Sequence, residues 1–469
     1  MGSKWDKILL GDLIKQGHAI LQTGPFGTAL KAEEYTSNGV PLISVREIRD
    51  GYIKIEDITP RVNKDIINRL PKFVLKKGDI VFARKGGVDR TAYINEKESG
   101  WFLGSDGIYL RINDNYNSLF ISYIMRSSVT RDWLIKNSEG TTMPSLNQKI
   151  LSRIPLTIPS LQKQNIIAEF LHSLDRKINI SNQINQTLEQ MSQTLFKSWF
   201  VDFDPVIDNA LDAENPIPEA LQSRAELRQK VRNSTDFKPL PADIRALFPT
   251  DLEETEMGWV PKGWKNGNLS DITKILSGFA FKSKDFGDDG KSVIKIKNIT
   301  IAKTIDIDDT QKISEIIAKD TNRFLLLDGD ILMAMTGATV GKFGVLTTKN
   351  NEEYYLNQRV AKFETENKAY LYCVLNQEST DRFITNAAQG SAQPNISAKD
   401  ILSTPLLIPS VELINTFNDF ISHLFYRMIA NTKANLNLTA LRDTLLPKLI
   451  SGELSLEDLP DLANQTEPA

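Results

Sequence analysis

Apolar side chains recur at steps of three and four from Leu171 through Leu174 to Ile178, and again from Ile184 through Leu188 and Met191 to Leu195. That spacing lays one apolar stripe along an α-helix. No Pro or Gly interrupts the chain between Pro159 and Phe200, and Ser160, just after a proline, suits an N-cap. The pattern predicts one helix over about 160–200, roughly 60 Å long at 1.5 Å per residue. Such a helix outruns the core of a small domain and reads as a spacer or a coiled-coil arm.

The same stripe returns 250 residues later. Ile421 falls on Leu171, Leu424 on Leu174, Met428 on Ile178, Leu438 on Leu188, Leu441 on Met191 and Leu445 on Leu195. Both copies turn polar in the middle, with Asn179, Asn182 and Asn185 in one and Asn431 and Asn435 in the other. Two long helices with matching stripes invite pairing. The polar midsection marks a place where partners or water meet the helices, or where their pairing loosens.

Each helix follows a globular block, and the blocks repeat as well. In the first, a helical turn at Leu10–Ile14 precedes a Gly/Pro loop at Thr23–Thr28. Gly39–Ile48 ends in a strand-like alternation, and Gly78-Asp79 turns into a strand at Ile80–Ala83, followed by a basic, Gly-rich loop. Ser118–Ser127 reads as helical and Gly140–Leu151 as a polar loop. In the second block Trp264 falls on Trp5 and Asp271 on Asp12 at an offset of 259, GKSVIKIKNI on GVPLISVREI and LDGDI on KKGDI at 251, and the Gly/Ser loop before IPS at 250. The framework repeats while most loops differ, which suits two related but distinct recognition tasks.

The resulting division is a first globular block, 1–155; the helix and an acidic linker, 156–256; a second block, 257–408; and a C-terminal helix with tail, 409–469. The linker carries prolines at 205, 216, 218, 239, 241 and 249 and reads as partly ordered, with short helices such as Ala220–Val231. Charge follows the same division: 23 basic against 17 acidic side chains in 1–155, but 10 against 16 in 156–256. Basic blocks suit a polyanion, and acidic helical stretches suit protein partners.

Composition narrows the chemistry. The chain has 469 residues, 41% hydrophobic and 25% charged, enough for several domains with sizeable cores. A single cysteine, Cys373, excludes an internal disulfide framework, and three scattered histidines, His18, His172 and His423, offer no metal site. There is no signal peptide and no apolar run long enough to span a membrane, so cytoplasmic residence without membrane partners is the expectation. No GxxxxGK[ST], strand-linked GxGxxG, HExxH or Asn-Pro-Pro-aromatic sequence occurs. GATVGK at Gly337–Lys342 lacks the spacing of a phosphate loop, and Phe343 stands where that loop needs Ser or Thr.

The loops hold side chains that suit DNA. Arg46, Arg49, Arg84, Lys85, Arg90 and Thr91 cluster near strand ends in the first block, joined by Thr141, Thr142, Ser145 and Asn147. Lys295, Lys297, Thr336, Thr339, Lys342, Asn357, Gln358, Arg359, Gln389, Ser391, Gln393 and Asn395 do so in the second, with Lys282 and Lys284 nearby. Lys and Arg neutralise phosphates, Arg reads guanine with two hydrogen bonds, and Asn or Gln pairs with adenine. Any one of them also suits a solvated surface, and Asn147, Asn357 and Asn395 equally suit helix caps or turns.

These segments together resemble the specificity subunits of type I restriction-modification systems. The resemblance rests on TLFKSWFVDFDPV (194–206), MGWVPKGW (257–264), TLLPKLISGEL (444–454), the two Gly-Asp-Ile strands, the IPLTIPS and TPLLIPS joins and the internal repeat, and it covers nearly the whole chain. It implies an α+β protein with two mixed α/β target recognition domains joined by two long antiparallel helices. Each domain would read one half of a bipartite site on double-stranded DNA. The helices would set the spacing, with half-site centres about one turn, roughly 34 Å, apart. It further implies a non-catalytic chain that docks two methyltransferase subunits, which supply S-adenosylmethionine binding and adenine methylation. Restriction subunits would add ATP- and Mg2+-dependent translocation and cleavage. An unfamiliar nuclease or methyltransferase, or a protein-only scaffold, are the alternatives. The first would act without partners, and the second would show no salt-dependent DNA binding.

Overall fold

The computed structural model describes residues 5–140, 142–256, 258–388 and 394–454. By internal contacts the chain forms two units, one joining residues up to 178 with those from 438 onward, the other spanning 179–437.

In the first unit, strand Asp6–Leu9 pairs antiparallel with Pro155–Ile158 and closes the globular block. An antiparallel sheet runs in the order Ala19–Thr23, Gly107–Ile112, Ile80–Ala83, Thr91–Tyr93. A second, smaller sheet orders Arg61–Val62, Val40–Ile43 and Phe102–Leu103, the last pair parallel. Side chains alternate across a strand, so Ile80 and Phe82 enter one core while Val81 and Ala83 enter another. The first core also takes Ile167 and Leu171 from helix Leu161–Phe200, and Leu445, Leu446 and Leu449 from helix Val411–Ser451. Full burial of each such side chain contributes about 1.5–3 kcal/mol, which fixes both helix segments to this block.

The second unit repeats the plan. Lys265–Asn268 pairs with Pro405–Ile408, and one sheet orders Lys274–Ser277, Val360–Glu364, Ile331–Ala334 and Phe343–Val345. The other places Lys291–Ile294 between Gln311–Ile313 and, in parallel, Tyr354–Leu356. Ile331 and Met333 face one core, Leu332 and Ala334 the other. Here the helix segments dock through aromatic rings: Phe417 lies 5.1 Å from Trp199 and 4.9 Å from Phe200, edge to face.

Within each unit the two long helices run antiparallel. In the second, Asn435 donates to Asn182 at 2.8 Å, while Asn431 donates to Asn185 at 2.8 Å, so partners descend as the first helix ascends. Asn185 gives its own amide to the Met428 carbonyl at 3.1 Å. In the first unit Arg442 meets Asp175, three to four residues along from the Leu171 and Leu445 that share one core. The polar midsection is therefore a set of asparagine bonds from helix to helix, so of the readings offered for it, a loosened pairing is not what the helices show there. Ser410 caps the second helix by accepting from the Leu413 N–H at 3.1 Å, and Gly452, at φ 76°, ends it.

The acidic linker is ordered where partial order was expected. Helices Asp204–Asp212 and Glu219–Arg232 lie side by side through a ladder with a constant step of 20 residues. Arg224 binds Asp204 through two hydrogen bonds of 2.7 Å, Arg228 binds Asp208, and Arg232 binds Asp212, which also takes Arg245. Each carboxylate repeats four residues after the last, and so does each guanidinium, so one face of each helix carries the ladder.

Candidate nucleic-acid interface

One end of the sheets is built alike in both repeats. Where strand Ile80–Ala83 ends, the Arg84 N–H donates to the Asp106 carbonyl at 2.8 Å, the Arg84 carbonyl accepts from Leu146 at 2.8 Å, and the Gly86 N–H reaches Pro144 at 3.0 Å. Where Ile331–Ala334 ends, Met335 donates to Arg359 at 3.0 Å and accepts from Ile396 at 2.9 Å, and Gly337 reaches Pro394 at 3.1 Å. Lys85 and Ser145 form a β-bridge in one repeat, Thr336 and Asn395 in the other. Three loops per repeat are thus tied together by main chain alone, which leaves their side chains free to differ.

A buried polar side chain turns a fourth loop into the same place. After Val40–Ile43 the chain leaves extended geometry because the Glu47 carboxylate accepts from the Ser44 N–H at 3.0 Å and from Thr59 at 3.3 Å. Asn298 does the same for Lys295 at 2.9 Å. Glu47 and Asn298 are each 1% exposed and stand 251 residues apart. The strand read through Ile48 therefore stops at Ile43, and Arg46 and Arg49 belong to a turn. Gly104 donates to the Ile43 carbonyl at 2.7 Å, which brings this turn beside the Asp106 loop.

In the first repeat the candidates divide by what already holds them. Arg46 and Arg90 are exposed and make no ion pair among the described residues. Arg49 is half-buried against Glu56 at 3.5 Å, and Lys85 faces Asp106 at 3.7 Å. Arg84 donates to the Ser105 carbonyl at 3.3 Å and stacks on Phe26, 4.4 Å from the ring centroid. Thr142 is exposed. Ser145 donates to the Glu139 carbonyl, and Asn147 caps the short helix Gln148–Leu151 through Ile150 at 2.8 Å while donating to Glu139. Capping, one of its two readings, is what Asn147 does. Thr91 is a correction: it is 0% exposed inside strand Thr91–Tyr93, paired with Phe82, so its hydroxyl is out of reach of DNA.

In the second repeat Gln358 and Arg359 are exposed in the turn between Tyr354–Leu356 and Val360–Glu364, and the Arg359 side chain has no partner among the described residues. Asn357 bridges Phe279 by its backbone. Lys342 pairs with Asp381 at 3.2 Å and Lys297 with Asp309 at 2.8 Å. Lys295 contacts Gln311 and lies 3.7 Å from the Phe286 centroid. Burial, and then the neighbouring Lys297 charge, hold the Lys295 ammonium below the usual lysine range. Thr339 donates to the Ile296 carbonyl at 3.4 Å. The Thr336 hydroxyl is enclosed without a partner among the described residues, so Thr336 joins the frame through its backbone bridge to exposed Asn395. Thr141, Gln389, Ser391 and Gln393 lie outside the described residues. Phe26 was missed. Its only signal in the sequence is the Gly24-Pro25-Phe26-Gly27 loop, and an aromatic flanked by turn formers reads as punctuation.

A duplicated frame with interchangeable side chains can be set against known proteins. The sequence matches the family described as Type I restriction modification DNA specificity domain twice, over residues 3–190 and 261–438. The chain belongs to that family. Each match takes in one globular block and part of the helix after it, so the repeat seen in the fold is a repeat of the specificity domain. The type I restriction enzyme HindI specificity subunit of Haemophilus influenzae is 27% identical over 418 residues, covering 83% of this chain and 89% of the relative. The MjaIX specificity subunit of Methanocaldococcus jannaschii is 22% identical over 434 residues, covering 92% and 90%. The crystal structure of the type I restriction-modification S subunit from M. genitalium shares the fold, with a TM-score of 0.51 at 16% identity, over 95% of this chain and 96% of that one. Two further features describe this specificity chain. No group of His, Cys, Asp or Glu among the described residues is placed to hold a metal ion, and no helix there is long and apolar enough to cross a membrane.

Proposed function

We propose that each repeat reads one half of a bipartite site on double-stranded DNA through its four-loop end. In this reading the target recognition domains are residues 1–155 and 257–408. The paired helices set the distance between half-sites and dock two methyltransferase subunits, through which restriction subunits join. S-adenosylmethionine, ATP and Mg2+ belong to those partners, the chain itself does no chemistry, and the complex works in the cytoplasm. The observation that carries this reading is the pair of matching hydrogen-bond frames whose side chains differ: Arg84 and Asp106 in one repeat stand where Met335 and Arg359 stand in the other. Equal scaffolds with unequal reading groups predict two half-sites of different sequence. Mapping methylated adenines in cells that carry the chain with its methyltransferase subunits tests it. A motif of two unlike parts across a fixed, unread spacer is expected, and one continuous motif would overturn the reading. The purified chain given S-adenosylmethionine alone should leave DNA unmethylated.

A further inference from the structure

We propose that Arg84 reads a guanine in the first half-site and that Phe26 is the positioning residue that holds its guanidinium flat for that task. The inference rests on the half-site reading above and names the group that executes it.

Phe26 is 52% exposed, a large apolar ring left in water beside a basic loop. The loop is built to project it. A Cβ on Gly24 would lie 1.8 Å from the Gly104 carbonyl oxygen, so that position admits only glycine, and Gly27 follows at φ 55°. The Phe26 carbonyl accepts from Ala29 at 3.0 Å, which closes the turn behind the ring. The Arg84 guanidinium covers one face of that ring. Its backbone is fixed on both sides, through Asp106 and Leu146, so the side chain starts from a set position.

Arg84, like Arg46 and Arg90, makes no ion pair among the described residues, and it alone of the three lies over an aromatic ring there. The Asp106 carboxylate faces Lys85, and the Arg84 guanidinium donates to the Ser105 carbonyl. A guanidinium has five N–H donors in a planar fork, so most of the fork stays open. Stacking on an aromatic face orients that plane without using the donors. An oriented, unpaired fork at a rigid loop end matches the O6 and N7 acceptors of guanine in the major groove, whereas phosphate contact needs only charge. In the second repeat the same frame position is Met335, which is buried, so this reading group belongs to the first half-site alone.

The test uses the full chain assembled with its methyltransferase subunits. Methylation rates are measured on duplexes in which each guanine of the first half-site is replaced in turn by 7-deazaguanine, which lacks N7. The wild type should be slowed about tenfold or more at one guanine. Arg84→Lys keeps the charge but loses the fork. It should be slow on normal DNA and indifferent to the replacement at that guanine, with its salt dependence kept. Phe26→Ala should lose sensitivity at the same guanine, Phe26→Tyr should restore it, and the double variant should be no worse than Arg84→Lys alone. Unchanged base preference in both variants, with only the salt slope moved, would make Arg84 a phosphate contact and overturn the proposal. So would a Phe26→Ala effect at a different base pair. In either case Arg46 and Arg90 variants would still act on the first half-site, so the half-site reading would stand. If Arg84→Lys, Phe26→Ala and the Arg46 and Arg90 variants were all silent, or acted equally on both halves, that reading would fail as well. Thermal melting of Phe26→Tyr and Arg84→Lys, expected at the wild-type temperature, separates recognition from folding.

Discussion

Asp175 of the first long helix accepts a hydrogen bond from Arg442 of the second at 2.7 Å, across 267 residues of sequence. The same carboxylate accepts from Arg126 at 2.9 Å and from the Tyr123 hydroxyl at 2.7 Å, so one anion ties both helix segments to the first globular block. Burial alone would raise its pKa, but the Arg126 and Arg442 charges outweigh burial and hold it below the usual aspartate range. A depressed folded pKa contributes stability that is present above the unfolded value and lost as pH falls through the folded one. Asp175→Asn should therefore cost about 1–3 kcal/mol at neutral pH, because it takes a shared counter-charge from two half-buried guanidiniums that keep only the more exposed Asp50 and Asp443. It should also flatten the loss of stability in acid. Urea titrations at several pH values check both. Equal stability of variant and wild type at neutral pH would contradict the role of this anion.

The asparagine pairs make the helix register a matched property. Seven residues inserted after Asn182 alone would move Asn185 away from Asn431 and should abolish the soluble complex. Seven more inserted before Asn435 should restore it, since seven residues are about two turns and keep the stripe in phase. The double insertion adds about 10 Å and should lengthen the methylated motif's spacer by about three base pairs at 3.4 Å each. A restored complex that methylates at the original spacing would remove the helices from the ruler's role.

Exposed cations without partners should weigh more on DNA than those already paired. Arg46→Ala, Arg90→Ala and Arg359→Ala should each lower the salt slope of the complex by about one or cost about 1–3 kcal/mol at one base position. Lys297→Ala and Lys342→Ala, whose ammonium groups face Asp309 and Asp381, should do less. Binding titrations over a salt series measure this. A larger effect from the paired lysines would contradict the sorting.

Thr91, in the strand that follows Arg90, supplies a control. Its hydroxyl is buried without a hydrogen-bond partner among the described residues. Thr91→Val should leave DNA affinity unchanged and raise stability by about 1 kcal/mol, since an unsatisfied buried polar group is removed. Weakened DNA binding would show that the strand opens on the complex.

The stripe from Leu171 to Leu195 and its copy made the two helices and their repeat legible in the sequence, because period and offset are properties of the chain alone, while the family was legible in segments such as 194–206, 257–264 and 444–454. The polar partners across the seam were not legible. Asn182 meets the amide of Asn435 from 253 residues away, and no local pattern encodes that. The order of the linker was hidden for a similar reason, since its Arg–Asp partners stand 20 residues apart and read singly as solvated charge. Of the candidate contacts, Arg46 and Arg90 were readable as loop cations. Thr91 was misplaced because the strand that buries it begins one residue earlier than the basic loop suggested, and Asn147 turned out to be spent on a cap.

The most direct test of the account exchanges residues 257–408 for the matching block of a relative, in the assembled methyltransferase complex, and maps the methylated adenines. If each frame reads its own half-site, one half of the motif changes while the other half and the spacer stay. If both halves change, or neither does, the two repeats do not read separately and the account is wrong.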